Sequence, residues 1–249
     1  MVSLQHITKV FNKGEINEVR ALDDIHLTIN EGEFLIIIGA NGSGKSTLLN
    51  IIQGAEKPTE GNIKINNVDI TEIAEYQRSK WVARVFQNPN NGTAPDLTIL
   101  ENFRLAALRS QQKSLTIGLS TSFKKRVQEN IAALEMGLEN KINQLMGSLS
   151  GGQRQALTLL MSMMDHSEII LMDEPTAALD PKSSQLVLNL ADKINRINGK
   201  TLILITHHLK DALQYGNRLI QMKAGSIALD LNTQEKRQLT LPKILDLFT

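Results

Sequence analysis

The chain contains no cysteine, which removes disulfides, thiol catalysis and thiolate metal sites from consideration. No apolar run approaches the roughly 20 residues that cross a bilayer. The first ten residues lack the basic-then-apolar pattern of a secretory leader. Nor is there an excess of one charge: 27 Lys and Arg face 26 Asp and Glu, a formal net charge of +1. Composition therefore gives no support for a nucleic-acid partner, and none is expected. These absences point to a cytoplasmic chain that reaches a membrane only through a partner. What is present is 249 residues, 41% of them hydrophobic, enough for one large domain or a core with a subdomain.

Four continuous apolar runs stand out, at residues 34–38, 168–172, 201–205 and, more weakly, 218–222. Such runs suit strands buried on both faces. Helical patterns lie between them, at 46–53 and 183–195. Strands alternating with helices predict an α/β core with a mostly parallel sheet. Residues 2–10 and 19–29 read as short strands around an Asn12-Lys13-Gly14 turn, and 61–65 and 68–70 flank the hairpin signal Asn66-Asn67. These pieces predict an antiparallel β layer packed on the core. The stretch from about 88 to 164 is mostly helical in pattern, with loops at 88–95 and 147–152, and is expected to be an inserted helical subdomain. The chain is thus expected to be a single domain: 1–87 and 165–229 form the core with its β layer, about 88–164 the helical subdomain, and 230–249 a short tail. In that tail Ile244, Leu245, Leu247 and Phe248 could share one helical face. Met161, Met163 and Met164 read as core filler.

Gly39-Ala40-Asn41-Gly42-Ser43-Gly44-Lys45-Ser46-Thr47 matches the P-loop pattern G-x-x-x-x-G-K-[ST], with a buried strand before it and an apolar helix after it. The glycines let backbone N–H groups turn inward around phosphate oxygens, and the helix start adds its positive dipole end. Lys45 supplies a mobile charge for the outer phosphates, and Ser46 a hydroxyl for Mg²⁺. The pattern predicts nucleoside triphosphate binding. Alone, it leaves kinases, GTPases, helicases and transport ATPases open.

Residues 169–174 end a buried strand with two acids, Asp173 and Glu174. Parallel sheets bind ligands at the carboxyl ends of their strands, so Asp173 is placed to hold Mg²⁺ through water. Adjacent strand side chains point to opposite sides, so Glu174 is expected to face the attacking water. His207 follows another buried run and could bond the γ-phosphate or that water. His207-His208 makes a poor metal pair, because consecutive residues diverge. His6, His26 and His166 have no partners in sequence and stay unassigned.

A second glycine-rich element, Leu149-Ser150-Gly151-Gly152-Gln153, precedes a helical run from Arg154. Ser150 and Gln153 have capping-box spacing. Two glycines in a first turn are costly for a helix, but they leave N–H groups unobstructed for an anion.

That Leu-Ser-Gly-Gly-Gln sequence resembles the signature of ABC ATPases. The other motifs of that family stand in order: Gln87 in Arg84-Val85-Phe86-Gln87 as the Q-loop, Asp173-Glu174 as Walker B, Ala178-Leu179-Asp180 as the D-loop, and Thr206-His207 as the switch loop. The resemblance covers about residues 4–228. It implies an ATPase that uses ATP and Mg²⁺ and works as a head-to-tail dimer. Each nucleotide would lie between the P-loop of one copy and the residues Ser150, Gly151, Gly152, Gln153 and Asp180 of the other. Glu174, His207 and Gln87 would be the catalytic group, and Ser46, Gln87 and Asp173 would surround the metal. Phe11 sits where the family places an aromatic ring against adenine.

One ABC domain, no long coiled-coil insertion and no fused membrane helices leave a separate ATPase subunit that docks on an integral membrane permease. It would then be peripheral on the inner face of the cell membrane. The loop after Gln87, residues 88–95, would receive the permease. With Asn12-Lys13-Gly14 and residues 17–22, that loop resembles a bacterial importer subgroup served by extracytoplasmic substrate-binding proteins, some thought to bind aromatic amino acids. An exporter or lipoprotein-extracting subunit keeps the same fold. A non-transport ATP switch acting on nucleic acid or ribosomes is the remaining alternative.

Overall fold

The computed structural model describes residues 1–109 and 118–246. Among the described residues, ten strands form two sheets. An antiparallel sheet of order β2-β1-β4-β5 is built from β1 (Val2–Phe11), β2 (Val19–Ile29), β4 (Glu60–Ile65) and β5 (Val68–Asp69). A six-stranded sheet of order β10-β9-β3-β8-β7-β6 is built from β3 (Phe34–Ile38), β6 (Val82–Val85), β7 (Ile169–Asp173), β8 (Thr201–Ile205), β9 (Arg218–Lys223) and β10 (Ser226–Leu231). Strands β6, β7, β8, β3 and β9 run parallel, and β10 returns antiparallel. The fold is α/β, as the alternation of runs predicts.

The central runs are apolar throughout because both faces are covered. Phe34, Ile36 and Ile38 of β3 join one core, shared with the helices on that side. Leu35 and Ile37 join a second core, which lies toward the antiparallel sheet. Strands β7 and β8 alternate in the same way: Ile170, Met172, Leu202 and Leu204 fall in the first core, and Ile169, Leu171, Ile203 and Ile205 in the second. Asn66 and Asn67 both take left-handed backbone, with φ of 49° and 65°, the conformation a two-residue hairpin turn requires.

Nine α-helices, α1 (Lys45–Gln53), α2 (Glu75–Arg78), α3 (Ile99–Leu108), α4 (Thr121–Ala132), α5 (Gly151–Met161), α6 (Pro181–Asn198), α7 (Leu209–Gln214), α8 (Thr233–Arg237) and α9 (Leu241–Asp246), and two short 3-10 turns, Pro89–Gly92 and Met146–Ser148, complete the described residues. Among the described residues, no helix is long and apolar enough to cross a membrane. Met161 and Met164 are buried in the first core.

Several local expectations are corrected. Helix α5 starts at Gly151, inside the segment 147–152 expected to be loop, because Ser150 caps it there. Helix α6 starts at Pro181, earlier than 183, with Asp180 as its cap and proline in the first turn. Strand β10 runs to Leu231, so residue 230 lies within the sheet rather than in a tail. Ile244 is buried while Leu245 is exposed. The two therefore do not share one buried face. Leu247 and Phe248 lie outside the described residues.

Candidate functional site

Because β6, β7, β8 and β3 are parallel, their carboxyl ends open on one edge. Asp173 pairs in register with Ile205, and Ile205 with Ile37. The residues just beyond these strands, in the loop 39–47, at 174 and at 206–207, therefore leave the sheet at one level.

The loop 39–47 is held by close backbone packing. Gly39 has φ 151°, and a Cβ there would lie 2.3 Å from the Met222 carbonyl oxygen. Gly44 has φ 100°, and a Cβ there would lie 2.5 Å from the Ala21 carbonyl oxygen. Both positions need glycine for space and for conformation. Gly42 has φ 79° with open surroundings. Ser43 and Lys45 are buried, whereas Asn41 and Ser46 are exposed and Thr47 is intermediate. The Lys45 ammonium donates to the carbonyls of Gly39 and Ala40, 2.8 Å each. Burial lowers its pKa, and the charges of Glu174 and Asp173 oppose that shift.

Asp173 ends β7. Its Oδ1 accepts from the Ser46 hydroxyl at 3.3 Å, and its Oδ2 accepts from Arg84 Nη2 at 2.8 Å. Arg84, on β6, also donates to Asn50 at 2.6 Å and Gln53 at 2.5 Å, both on α1. One guanidinium thus ties the P-loop helix to the end of β7. Sequence reasoning missed this role, since Arg84 figured there only as part of a motif.

Glu174 is not on the strand. Its φ is 46°, so a left-handed turn aims the side chain, and strand alternation does not. Its N–H donates to the Ile205 carbonyl at 3.1 Å, which anchors that turn to β8. Its Oε2 lies 3.1 Å from His207 Nδ1. His207 follows buried Thr206, whose N–H donates to the Ile37 carbonyl at 3.2 Å. Lys45, Ser46, Asp173, Glu174 and His207 therefore converge. His208 packs its ring 4.2 Å from that of His207 and, among the described residues, joins no cluster of three metal-ligating groups.

The remaining candidates lie elsewhere. Gln87 is exposed, two residues beyond β6. Among the described residues, no hydrogen bond joins it to Asp173 or Ser46. Phe11 is half-exposed at the end of β1, outside both cores, with the Lys9 ammonium 4.7 Å from its ring centroid. Ser150 accepts from the Gln153 N–H at 3.3 Å, and Gln153 Oε1 accepts from the Ser150 N–H at 3.1 Å, a full capping box. Gly151 is exposed. Gly152 is buried, and a Cβ there would lie 2.3 Å from Ser183 Oγ. Its glycine is thus required by the contact of α5 with α6, a reason beyond access to an anion. Asp180 accepts from the N–H groups of Lys182 and Ser183, 3.1 Å each, and from Ser183 Oγ at 2.6 Å. These bonds, the Ser183 hydroxyl first, lower its pKa.

Two side chains clamp α5 to the segment on either side of Gln87. Gln155 donates to the Phe86 carbonyl at 2.8 Å. Arg154 donates to Asn90 and to the Gly147 carbonyl.

Residues 22–177 match the family model described as ABC transporter. The chain is 41% identical over 250 residues to a tyrosine transport ATP-binding protein of Clostridioides difficile, covering 100% of this chain and 98% of that protein. It is 33% identical to a macrolide export ATP-binding/permease protein of Hyphomonas neptunium, covering 94% of this chain and 35% of that one. Among solved structures, it is similar to a dimeric ATP-binding cassette of Methanocaldococcus jannaschii in a post-hydrolysis state with ADP and Pi. That match has a TM-score of 0.80 and 34% identity, and covers 94% of this chain and 99% of the other.

Proposed function

Because the chain belongs to the ABC transporter family, as an ATP-hydrolysing ATP-binding subunit of a transporter, we propose that it powers solute import through an integral membrane permease. The solute is an amino acid of the aromatic class, delivered by an extracytoplasmic binding protein. The observation that carries this reading is the convergence of Lys45, Ser46, Asp173, Glu174 and His207 on the edge formed by β3, β7 and β8. The import direction and the cargo are supported by the end-to-end likeness to a tyrosine transport protein. The likeness to the exporter covers only a third of that protein, which makes export the second reading.

In this reading the loop 39–47 cradles the phosphates through its backbone N–H groups, and Lys45 turns from its two carbonyls to the β- and γ-phosphates. Gly39, Asn41, Gly42, Ser43, Gly44 and Thr47 shape that cradle. Ser46 and Asp173 present oxygen donors 3.3 Å apart, the hard ligand type that suits Mg²⁺, with Gln87 as a third. Bound there, Mg²⁺ supplies charge neutralisation at the phosphates. Glu174 takes the proton of the attacking water. His207 fixes that carboxylate by donating Nδ1–H to it, which leaves Nε2 as an acceptor for the attacking water. Phe11 offers adenine the ring face that Lys9 does not cover. Ser150, Gly151, Gly152, Gln153 and Asp180 act on the nucleotide of a second copy in a head-to-tail dimer. Residues 88–95 meet the permease, so the chain works at the inner face of the membrane.

The test is uptake of labelled tyrosine, phenylalanine and tryptophan by cells lacking the chain, restored with wild type or with Lys45→Ala. Uptake of one of these should fall without the chain and return only with wild type. Uptake that is unaffected, with efflux of a solute lost instead, would replace import by export.

A further inference from the structure

Outside the nucleotide site, the antiparallel sheet gathers the one cluster of three metal-ligating side chains among the described residues. We propose that His6, Asp24 and His26 bind one divalent transition-metal ion of the zinc class, at a site separate from the nucleotide's Mg²⁺. The three residues come from β1 and β2. Ile7 pairs with Ile25 and both are buried, so the neighbours at 6, 24 and 26 belong to the opposite, exposed face.

Regular pairing would set His6 opposite His26 and leave Asp24 opposite residue 8. Two irregularities change this. The register shifts between Leu4 and Ile7, and again between Ile7 and Lys9. His6 and Asp24, one within each shift, have left-handed backbone with φ of 53° and 50°. Bulges of this kind re-aim side chains, and here they turn His6 and Asp24 toward each other. The bulge at His6 is closely packed: a Cβ on neighbouring Gly61 would lie 2.2 Å from the His6 carbonyl oxygen.

The result is a preformed donor set. His6 Nδ1 is 2.9 Å and His26 Nε2 3.1 Å from the same oxygen, Asp24 Oδ1. All three ligand atoms lie within 4.8 Å of one another. Two ligands about 2.1 Å from one ion and roughly 90–110° apart are themselves about 3.0–3.4 Å apart, so each imidazole already stands near co-ligand spacing from the carboxylate. The imidazole rings stand edge to face with centroids 4.1 Å apart. Without a metal, the two ring N–H groups point at the carboxylate. A metal takes their place as each proton moves to the ring's other nitrogen or to solvent. Two imidazoles and one carboxylate suit zinc, nickel or copper, not magnesium, and exposure leaves room for water to complete the shell.

The test is calorimetric titration of the metal-stripped full chain, without nucleotide, with zinc chloride and separately with magnesium chloride. One zinc should bind per chain, with no comparable magnesium event. Loss of an outer-shell partner already costs about 10–100-fold in metal affinity, so losing a direct ligand should cost at least that. His6→Asn, which tolerates the left-handed backbone, and His26→Gln should each show that loss, while basal ATP hydrolysis with Mg²⁺ stays at the parent rate. Absence of zinc binding overturns the proposal. So does zinc binding that survives in the double variant, which would move the ion to another site such as Glu174 and His207.

Discussion

At the scale of single residues, the site depends on how two neighbouring carboxylates are held. Asp173 is fixed from both sides, by Ser46 and by Arg84. Glu174 is fixed by a left-handed turn and by His207. On the proposed roles, Glu174→Gln keeps the shape and removes the proton acceptor. Hydrolysis should fall by on the order of 10²–10⁴ while ATP binding persists, measured by phosphate release and nucleotide titration. A variant at the parent rate would transfer the role to another group. Arg84→Met leaves a largely buried carboxylate without its cation. It should cost about 2–3 kcal/mol in denaturant unfolding. Arg84→Lys should recover only part, because an ammonium lacks the fork that reaches Asn50, Gln53 and Asp173 together. A loss within experimental error for Arg84→Met would reduce that link to a surface contact.

Among elements, the helix that carries the P-loop is secured at both ends by distant chain. Its last turn is capped by Arg78, a fully buried guanidinium that donates to the carbonyls of Ile51 at 2.7 Å and Ile52 at 3.2 Å, and to those of Ile73 and Thr71. Burial lowers the Arg78 pKa. Arg78→Met would strand those acceptors, and should cost about 3 kcal/mol of stability by thermal or chemical unfolding. An unchanged midpoint would show that water replaces the guanidinium. Such links mark the limit of what the sequence conveys. The strands around the loop 39–47 were legible because apolar runs and glycine spacing are local signals. The partners of Arg84, and the α1 carbonyls that Arg78 reaches, were not, being set by packing between segments far apart in the chain. The same holds for His6, whose partner Asp24 on the neighbouring strand is reached only through the two bulges. Glu174 was misread in detail, since strand alternation was extended one residue past the strand's end.

For the whole molecule, the proposed head-to-tail dimer is what can be tested. The similar cassette with ADP and Pi is dimeric. Within one copy, among the described residues, no hydrogen bond or ion pair joins residues 150–153 to the loop 39–47, as expected if the two serve different nucleotides. The Glu174→Gln chain should therefore accumulate as a dimer when given ATP and Mg²⁺, while wild type dissociates as it turns over. Ser150→Arg in addition should keep it monomeric. Light scattering after size exclusion reads both. The helix cap lost with Ser150 costs only about 1 kcal/mol, so the fold survives the test. A Glu174→Gln chain that stays monomeric with saturating ATP would confine dimer closure to the permease-bound state.

The left-handed backbone at Glu174 has a consequence for how such a chain can vary. That conformation costs a glutamate about 1–2 kcal/mol, and asparagine accepts it more readily. Stability and turnover therefore pull this position in opposite directions. A library of variants sorted only for heat resistance would drift toward asparagine at 174. It would return well-folded chains that still grip ATP and no longer spend it.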